Sequence, residues 1–349
     1  MLREFWFLLI GVLWGGYFLL EGFDYGVGIL SPAVSDDEVD RSVALGTLGP
    51  VWDGNEVWLI VAGGATFAAF PEWYASMFSG FYLALFLILV GLILRGICIE
   101  YRHRAESVRG RAWCDTGVFV GSLLPALLIG VAFADLLRGV KMDAGHNVIG
   151  GFFDLVTPYG LLGGLATLSL FCLHGAVFLA LKSSGPVRTR SAALSRVLGP
   201  VAVVVLSVFL LWTALSYRAN AASVAVSVIV VAAVAVAAWL AQRDRDGWAF
   251  VSSAVATVAL VGVYFLALHP DVMPARNNPA FGLTIDNASS SAYTLKVMTI
   301  VAVFLTPIVL AYEAWTYWVF RKRLSRSDMH PLVPTPRANE GEARQVERA

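Results

Sequence analysis

Residues Gly49–Leu59, GPVWDGNEVWL, open an apolar segment that continues to Phe70. Asp53 and Glu56 therefore fall inside a segment that otherwise has the composition of a membrane helix. An acidic residue near the bilayer centre costs about 2.5 to 3.5 kcal/mol on insertion scales. Because the chain keeps two acids there, beside two tryptophans and two glycines, this stretch is the first candidate for a functional site.

The composition is that of a polytopic membrane protein. Of 349 residues, 58% are hydrophobic and 14% are charged, against about 45–50% and 25% in soluble domains. Cys98, Cys114 and Cys172 are far apart, which excludes zinc, thioredoxin-like and c-type haem motifs. The first apolar run, Phe5–Leu30, is too long for a secretory signal and is expected to remain as a membrane helix.

Hydropathy predicts an all-α fold. A membrane helix needs about 20 mainly apolar residues, and this rule predicts a bundle of nine transmembrane helices in a single domain, residues 1–326. The polar tail, residues 327–349, is expected to be a disordered cytoplasmic extension. The predicted spans are Phe5–Leu30, Trp52–Phe70, Tyr74–Ile99, Thr116–Leu137, Tyr159–Leu181, Val197–Tyr217, Ala221–Ala241, Trp248–Leu268 and Leu295–Phe320.

The loops predict the orientation. Lysine and arginine cluster after the third, fifth, seventh and ninth spans, whereas the long loops at residues 138–158 and 269–294 are poor in both. Cytoplasmic loops carry the excess of these residues. The N-terminus is therefore predicted to lie outside and the C-terminus in the cytoplasm.

This orientation brings the acids of three spans to one depth near the cytoplasm. Residues three apart on a helix share a face, and two pairs of acids have this spacing. The converging residues are Glu21 and Asp24 in the first span, Asp53 and Glu56 in the second, and Arg95 and Glu100 in the third.

Two interpretations of these acids are open. Carboxyl groups in apolar surroundings can hold protons and pass them on, which indicates a proton or cation route from the cytoplasm. Alternatively, Arg95 pairs with one or two acids and Asn55 caps a helix start, so that the group only joins the helices. Asp53 and Glu56 would then also favour the dipole of a helix N-terminus.

Haem ligands are scarce in this sequence. Of five histidines, only His174 lies in the middle of a predicted span, and a lone buried histidine is more often a packing residue than an axial ligand. The chain is not expected to hold several haems, and no metal site is predicted. Near the end of the last span, Glu313 is expected to face water or pair with Arg321, and Tyr317 to join an interfacial aromatic belt.

With these residues in hand, the sequence resembles subunit II of the cytochrome bd-type quinol oxidase family. The resemblance covers the first four spans and the last two. Its motifs are long and ordered, which makes them specific. The main ones are EGFDYGVG (Glu21–Gly28), WDGNEVWL (Trp52–Leu59), AGGA (Ala62–Ala65), VMP (Val272–Pro274) and NASSS (Asn287–Ser291).

The resemblance implies a haem-free membrane subunit that stabilises a partner, subunit I. The partner would hold two b-type haems, one d-type haem and the quinol site. The complex would be an electrogenic quinol:O2 oxidoreductase of aerobic respiration in a bacterial inner membrane. This chain would not be catalytic alone. A structural quinone or lipid, small accessory subunits and a variant with only b-type haems stay open.

The resemblance also implies that this subunit supplies part of the cytoplasmic proton path for oxygen reduction. The expected path residues are Asp24 and Asp53, with Glu21, Glu100 and Glu56 beside them. The expected supporting residues are Arg95 and Asn55, and Trp52 at the contact with subunit I or its haem pocket.

Two other functions share these features. A proton-coupled secondary transporter would show inverted repeats and broken helices in both halves, whereas residues 197–268 have no acid within their spans. A purely structural assembly subunit would use the acids only to join helices. Asp-to-Asn exchange separates that role from proton transfer, because packing tolerates the exchange and a proton carrier does not.

Overall fold

A computed structural model of the chain describes residues 1–217 and 219–329. Within that part the chain is a helical bundle with one short antiparallel sheet, formed by β1 (Asp271–Met273) and β2 (Leu283–Thr284). The helices are α1 (Leu2–Val34), α2 (Glu38–Gly46), α3 (Trp52–Ala69), α4 (Pro71–Gly80), α5 (Tyr82–Arg102), α6 (Val108–Arg138), α7 (Pro158–Lys182), α8 (Gly185–Ser216), α9 (Ala221–Gln242), α10 (Asp246–Leu268) and α11 (Ala292–Val319). The disorder predicted for the tail falls outside the described residues from residue 330 onwards.

The all-α membrane fold is confirmed. In the described part of the chain, eight helices are long and apolar enough to cross a membrane, namely α1 and α5 to α11. The second predicted span forms the helix α3. The polar residues in its first turns lower its mean hydropathy, so α3 is not among the eight helices. The third predicted span, Tyr74–Ile99, is two helices that meet at Phe81. The count of nine crossings and the orientation therefore remain predictions.

Two helices begin well before their predicted spans. α6 starts at Val108 instead of Thr116, and α8 starts at Gly185 instead of Val197. Their first turns are polar, and hydropathy detects only the part of a helix that matches a bilayer. The short helix α2 was not predicted for the same reason. We call the end of the bundle that carries these polar turns the cytoplasmic end, after the predicted orientation.

α1 lies at the centre of the bundle and packs against α3, α6, α7 and α10. Its closest neighbour is α7, where Gly26 faces Gly175. A Cβ atom on Gly26 would lie 2.1 Å from the carbonyl oxygen of Phe171, so a larger residue does not fit. Small residues allow this close approach of membrane helices. The central position of α1 places Glu21 and Asp24 inside the bundle.

α11 is the least buried membrane helix. Only 6% of its most apolar window is buried within the chain. At the end opposite the cytoplasmic end, the Trp6 indole donates to the carbonyl oxygen of Leu295 at 3.2 Å and to Thr299 Oγ1 at 3.0 Å. Polar contacts thus hold a helix that has little apolar packing of its own.

At the cytoplasmic end, α11 continues into a segment that we call the strap, residues 322–329. The amide of Leu324 donates to the carbonyl oxygen of Lys182 at 2.8 Å. Arg326 binds Asp37 at 2.6 Å and Asp40 at 2.7 Å. The backbone amide of Asp40 and the guanidinium of Arg326 lower the pKa of Asp37. The strap therefore ties the end of α11 to the start of α2 and to the end of α7.

The first prediction concerns the strap. In Arg326→Ala, the amide hydrogen of Leu324 should exchange about three to ten times faster. The substitution removes the ion pairs that stabilise the closed strap, so that local opening costs less free energy. Hydrogen–deuterium exchange of the purified protein measures this. The pKa of Asp37 is lowered, so this stabilisation is present at neutral pH and is lost as the pH falls through that lowered pKa.

The matched control is Arg321→Ala. Arg321 follows α11, donates to the carbonyl oxygen of Trp318 in that helix and has no ion pair to α2 among the described residues. Equal exchange rates in the two variants would show that Arg326 does not fasten the strap.

Candidate functional site

A buried ion pair lies in the cytoplasmic half of the bundle. Arg95 of α5 and Glu21 of α1 are both fully buried, and Arg95 Nη2 donates to Glu21 Oε1. The same nitrogen lies 3.4 Å from Glu56 Oε2 of α3. The guanidinium also lies 4.9 Å from the centre of the Tyr25 ring, a cation–π contact. One guanidinium thus joins three helices.

Asp24 lies one turn further along α1 and is also fully buried. Its Oδ2 accepts a hydrogen bond from Asn55 Nδ2 at 2.8 Å, and Asn55 Oδ1 accepts one from the Tyr317 hydroxyl at 2.7 Å. The expectation that Asn55 caps a helix is wrong. The N-cap of α3 is Val51, and Asn55 lies one turn inside the helix, between α1 and α11.

The charges in this cluster do not balance. Three carboxyl groups, those of Glu21, Asp24 and Glu56, surround the single guanidinium of Arg95. Glu21 Oε2, Asp24 Oδ1 and two nitrogens of Arg95 have no hydrogen-bond partner among the described residues. A buried charge without a partner costs several kcal/mol. Binding of a proton within the cluster reduces this imbalance.

Further acids lie at the surface beside the cluster. Asp53 is exposed and accepts a hydrogen bond from the amide of Gly54 at 2.8 Å. Glu313 of α11 is half-buried, and its carboxylate oxygens lie 3.8 and 3.9 Å from the position of a Cβ atom on Gly54. Arg321, just beyond the end of α11, contacts Trp318 instead of pairing with Glu313.

Two predicted residues lie apart from the buried cluster. Glu100 is exposed and has no ion pair or hydrogen bond to another side chain in the described part of the chain. It follows Arg95 by five residues, which places it about 140° around α5. Trp52 is half-buried, and its ring lies 3.2 Å from the position of a Cβ atom on Gly96 of α5. Trp52 therefore packs α3 against α5.

Sequence reasoning did not assign Tyr317 to this cluster. The aromatic residues around it indicated an interfacial belt, but its hydroxyl reaches the buried amide of Asn55. The available signal was the spacing of Glu313 and Tyr317, which puts two polar groups on one face of α11.

Comparison with known proteins decides the family. The family described as "Cytochrome bd terminal oxidase subunit II" matches residues 2–320. The chain belongs to this family. It is 38% identical to "Cytochrome bd ubiquinol oxidase subunit 2" of Bacillus subtilis, over 94% of this chain and 98% of the relative. It is 35% identical to "Cytochrome bd-I ubiquinol oxidase subunit 2" of Escherichia coli K12, over 94% and 97%.

A solved structure shows the same fold. The bd oxidase from Geobacillus thermodenitrificans contains a chain that matches with a TM-score of 0.72 and 16% identity, over 91% of this chain and 98% of that chain. The resemblance drawn from the sequence motifs is confirmed. The chain is a subunit of a bacterial terminal oxidase and a multi-pass protein of the inner membrane.

His174 of this bd oxidase subunit is fully buried in α7. Its Nδ1 lies 2.7 Å from Ser253 Oγ, and its Nε2 donates to the carbonyl oxygen of Leu19 at 3.2 Å. Both ring nitrogens are therefore engaged, as expected for a packing residue. Within residues 1–217 and 219–329, no group of three or more His, Cys, Asp or Glu side chains is placed to hold a metal ion.

The subunit also contains an apolar cavity of 520 Å³. It lies between α3, α4, α5 and α6, where Gly63 and Gly64 leave room on α3. Its walls are mostly aromatic and aliphatic, and include Trp14, Phe67, Phe78, Phe86, Ile129 and Phe133. Such a cavity suits an apolar chain better than a polar ligand.

The second prediction concerns Arg95. In Arg95→Leu, Glu21 and Asp24 lose the single cation of the cluster, and a broken buried ion pair costs about 3 to 5 kcal/mol. The thermal unfolding temperature of the purified oxidase should fall, and so should its yield.

The double variant Arg95→Leu with Glu21→Leu removes the ion pair without leaving the charge of Glu21 unpaired. It should regain most of the lost stability. If the double variant is as unstable as Arg95→Leu alone, the two side chains are not energetically coupled.

Proposed function

We propose that this chain is the haem-free subunit of a quinol-oxidising terminal oxidase, and that it conducts cytoplasmic protons towards the oxygen-reducing site. The relatives from B. subtilis and E. coli are named as subunits of ubiquinol oxidases. The complex would be an electrogenic quinol:O2 oxidoreductase. Its partner subunit I would hold two b-type haems, one d-type haem and the quinol site, and this chain would stabilise it.

The observation that carries the proposal is the unbalanced acid cluster around Arg95. A cluster that served only to join helices would pair each buried acid with a cation. Here Asp24 has a neutral amide as its donor, and four polar atoms in the cluster have no hydrogen-bond partner among the residues that the structure describes. Groups of this kind bind water and protons.

The proposed path begins at the surface acids and ends inside α1. Asp53, Glu56 and Glu313 would take up protons at the cytoplasmic end. Glu56 is the link, because it is 24% exposed and also reaches Arg95. Glu21 and Asp24 would then hold a proton at the fully buried end. The haems expected in subunit I would supply electrons to oxygen, and each electron would require one proton to form water.

The side chain of His174 supports the proposal that this chain holds no haem. Axial ligation needs a ring nitrogen that is free to face iron. Both nitrogens of His174 are hydrogen-bonded within the chain. The remaining histidines lie outside the middle of the predicted spans.

The face formed by α3 and α11 is proposed as the contact with subunit I. Asp53 is exposed there, and Glu56 and Glu313 are partly exposed. Acids at this depth are costly against lipid, so a protein is the better neighbour for this face. From Val197 onwards, the exposed surface of α8 consists mostly of valine and other apolar residues, and so does that of α9, so both suit lipid. The apolar cavity is proposed to take a structural quinone or lipid chain.

A purely structural assembly subunit is the second candidate function. The ion pair of Arg95 with Glu21 favours it, because this contact joins α1 and α5 whether or not protons move. Both functions agree with the family, and the acid variants below distinguish them.

The third prediction tests the proton path. Asp24→Asn and Asp53→Asn keep side-chain size but cannot hold a proton. Each should retain the haems of the complex and lower quinol-driven oxygen consumption at least about tenfold, because each removes a proton-transfer group. Oxygen uptake per haem measures the effect.

The control for these variants is Glu72→Gln. Glu72 is exposed in the first turn of α4, away from the cluster. If both Asp variants turn over at the rate of the native complex, the acids join helices and the structural function is correct.

The fourth prediction tests the proposed contact face. Phe304 and Ile308 of α11 are 71% and 65% exposed in the isolated chain. Their combined replacement by alanine should remove packing against subunit I worth about 1 to 3 kcal/mol per side chain. Less subunit I should copurify in mild detergent, measured as haem per subunit.

Val228 and Ile229 of α9 supply the matched control, because they are 65% and 50% exposed and lie on the proposed lipid face. Their replacement by alanine should leave copurification unchanged. Equal losses from the two helices would contradict the assignment of the contact face to α11.

A further inference from the structure

Asn55 lies between Asp24, which binds and releases a proton in the proposed path, and the Tyr317 hydroxyl, which can donate or accept a hydrogen bond. The Tyr317 hydroxyl donates to Asn55 Oδ1, and Asn55 Nδ2 donates to Asp24 Oδ2. Both hydrogen bonds point towards Asp24. This direction suits an ionised Asp24, because a carboxylate only accepts hydrogen bonds.

A proton on Oδ2 of Asp24 needs the opposite direction. The O–H group at Oδ2 is a donor, and the amide of Asn55 then has to present Oδ1 to Asp24 and Nδ2 to Tyr317. The hydroxyl of Tyr317 can accept a hydrogen bond as well as donate one. Rotation of the Asn55 amide therefore reverses the whole chain of hydrogen bonds without moving the backbone.

The charged groups around Asp24 already have other partners, which makes these two hydrogen bonds important for Asp24. Arg95 of α5 is occupied by Glu21 and lies near Glu56. Glu21 of α1 also lies beside Asp24, Glu313 of α11 lies near Tyr317, and the His174 imidazole of α7 is engaged by Leu19 and Ser253. In this arrangement Asn55 is the side chain that donates to Asp24, so its orientation determines whether Oδ2 is hydrogen-bonded with or without a proton.

We propose that Tyr317 is a positioning residue of the proton path: through Asn55 it supplies a reversible pair of hydrogen bonds that accommodates Asp24 with and without its proton. The proposal rests on the proposed function, in which Asp24 takes up and releases a proton in each cycle. In this proposal α11, a helix with little apolar packing in this chain, acts on the buried Asp24 of α1.

The test uses the whole oxidase complex with Tyr317→Phe, which keeps the ring against Phe23 and removes the hydroxyl. Loss of one hydrogen bond should lower turnover about three- to tenfold and increase the solvent deuterium isotope effect. The infrared carbonyl band of protonated Asp24, identified by its loss in Asp24→Asn, should shift. Helix packing alone would change neither the isotope effect nor this band.

Tyr101→Phe is the matched control. Tyr101 is exposed on α5, and its hydroxyl makes no hydrogen bond within the described residues. Its turnover, isotope effect and infrared band should equal those of the native complex. If Tyr317→Phe also equals the native complex while Asp24→Asn has lost turnover, the role of Tyr317 is wrong and the proton path stands. If Asp24→Asn keeps full turnover, the proton path itself is wrong.

A second variant covers the case in which Tyr317→Phe does not retain the haems. Asn55→Leu keeps a side chain branched at Cγ and removes the hydrogen bonds of residue 55 to Asp24 and to Tyr317. It should lower turnover at least as much as expected for Tyr317→Phe and increase the isotope effect. Native turnover and a native isotope effect in an Asn55→Leu complex that retains its haems would overturn the proposal.

Discussion

The structure depends on a guanidinium that is buried inside a membrane bundle. Arg95 is fully buried, and its charge needs a carboxylate at the same depth. Glu21 supplies that carboxylate from α1 and Glu56 approaches from α3. Because an unpaired charge at this depth is costly, the contact fixes the rotation and height of three helices relative to one another. The other polar contacts of the site are built on this arrangement.

The same contact leaves the site with more acidic than basic side chains without a partner of opposite charge. Once Glu21 and Arg95 neutralise each other, Asp24 is left with the neutral amide of Asn55 as its donor. A neutral donor stabilises a carboxylate less than a cation does, so Asp24 is suited to exchange a proton. A second buried arginine would have made the cluster more stable and less able to bind protons.

α11 shows how a helix with little packing of its own still contributes to the site. Its apolar surface is largely exposed, and it is held by the strap at one end and by Trp6 at the other. Between these anchors Tyr317 reaches Asn55, and Glu313 lies over Gly54. Subunit I is proposed to cover the remaining surface, which would make the path a product of both subunits.

The sequence by itself determined the membrane class, the helical fold and the family, because hydropathy, charge and motif order are local properties. It also predicted a common depth for Glu21, Asp24, Asp53, Glu56 and Arg95. Only the tertiary structure decided which of them meet. Helix rotation is set by packing, so Glu100 points away from Arg95 while Asn55 turns inward to Asp24. The contact of Tyr317 with Asn55 joins residues 262 positions apart in the sequence. A local sequence pattern cannot predict which residues meet across such a separation. The break at Phe81 and the strap were likewise decided by packing and ion pairs between distant segments.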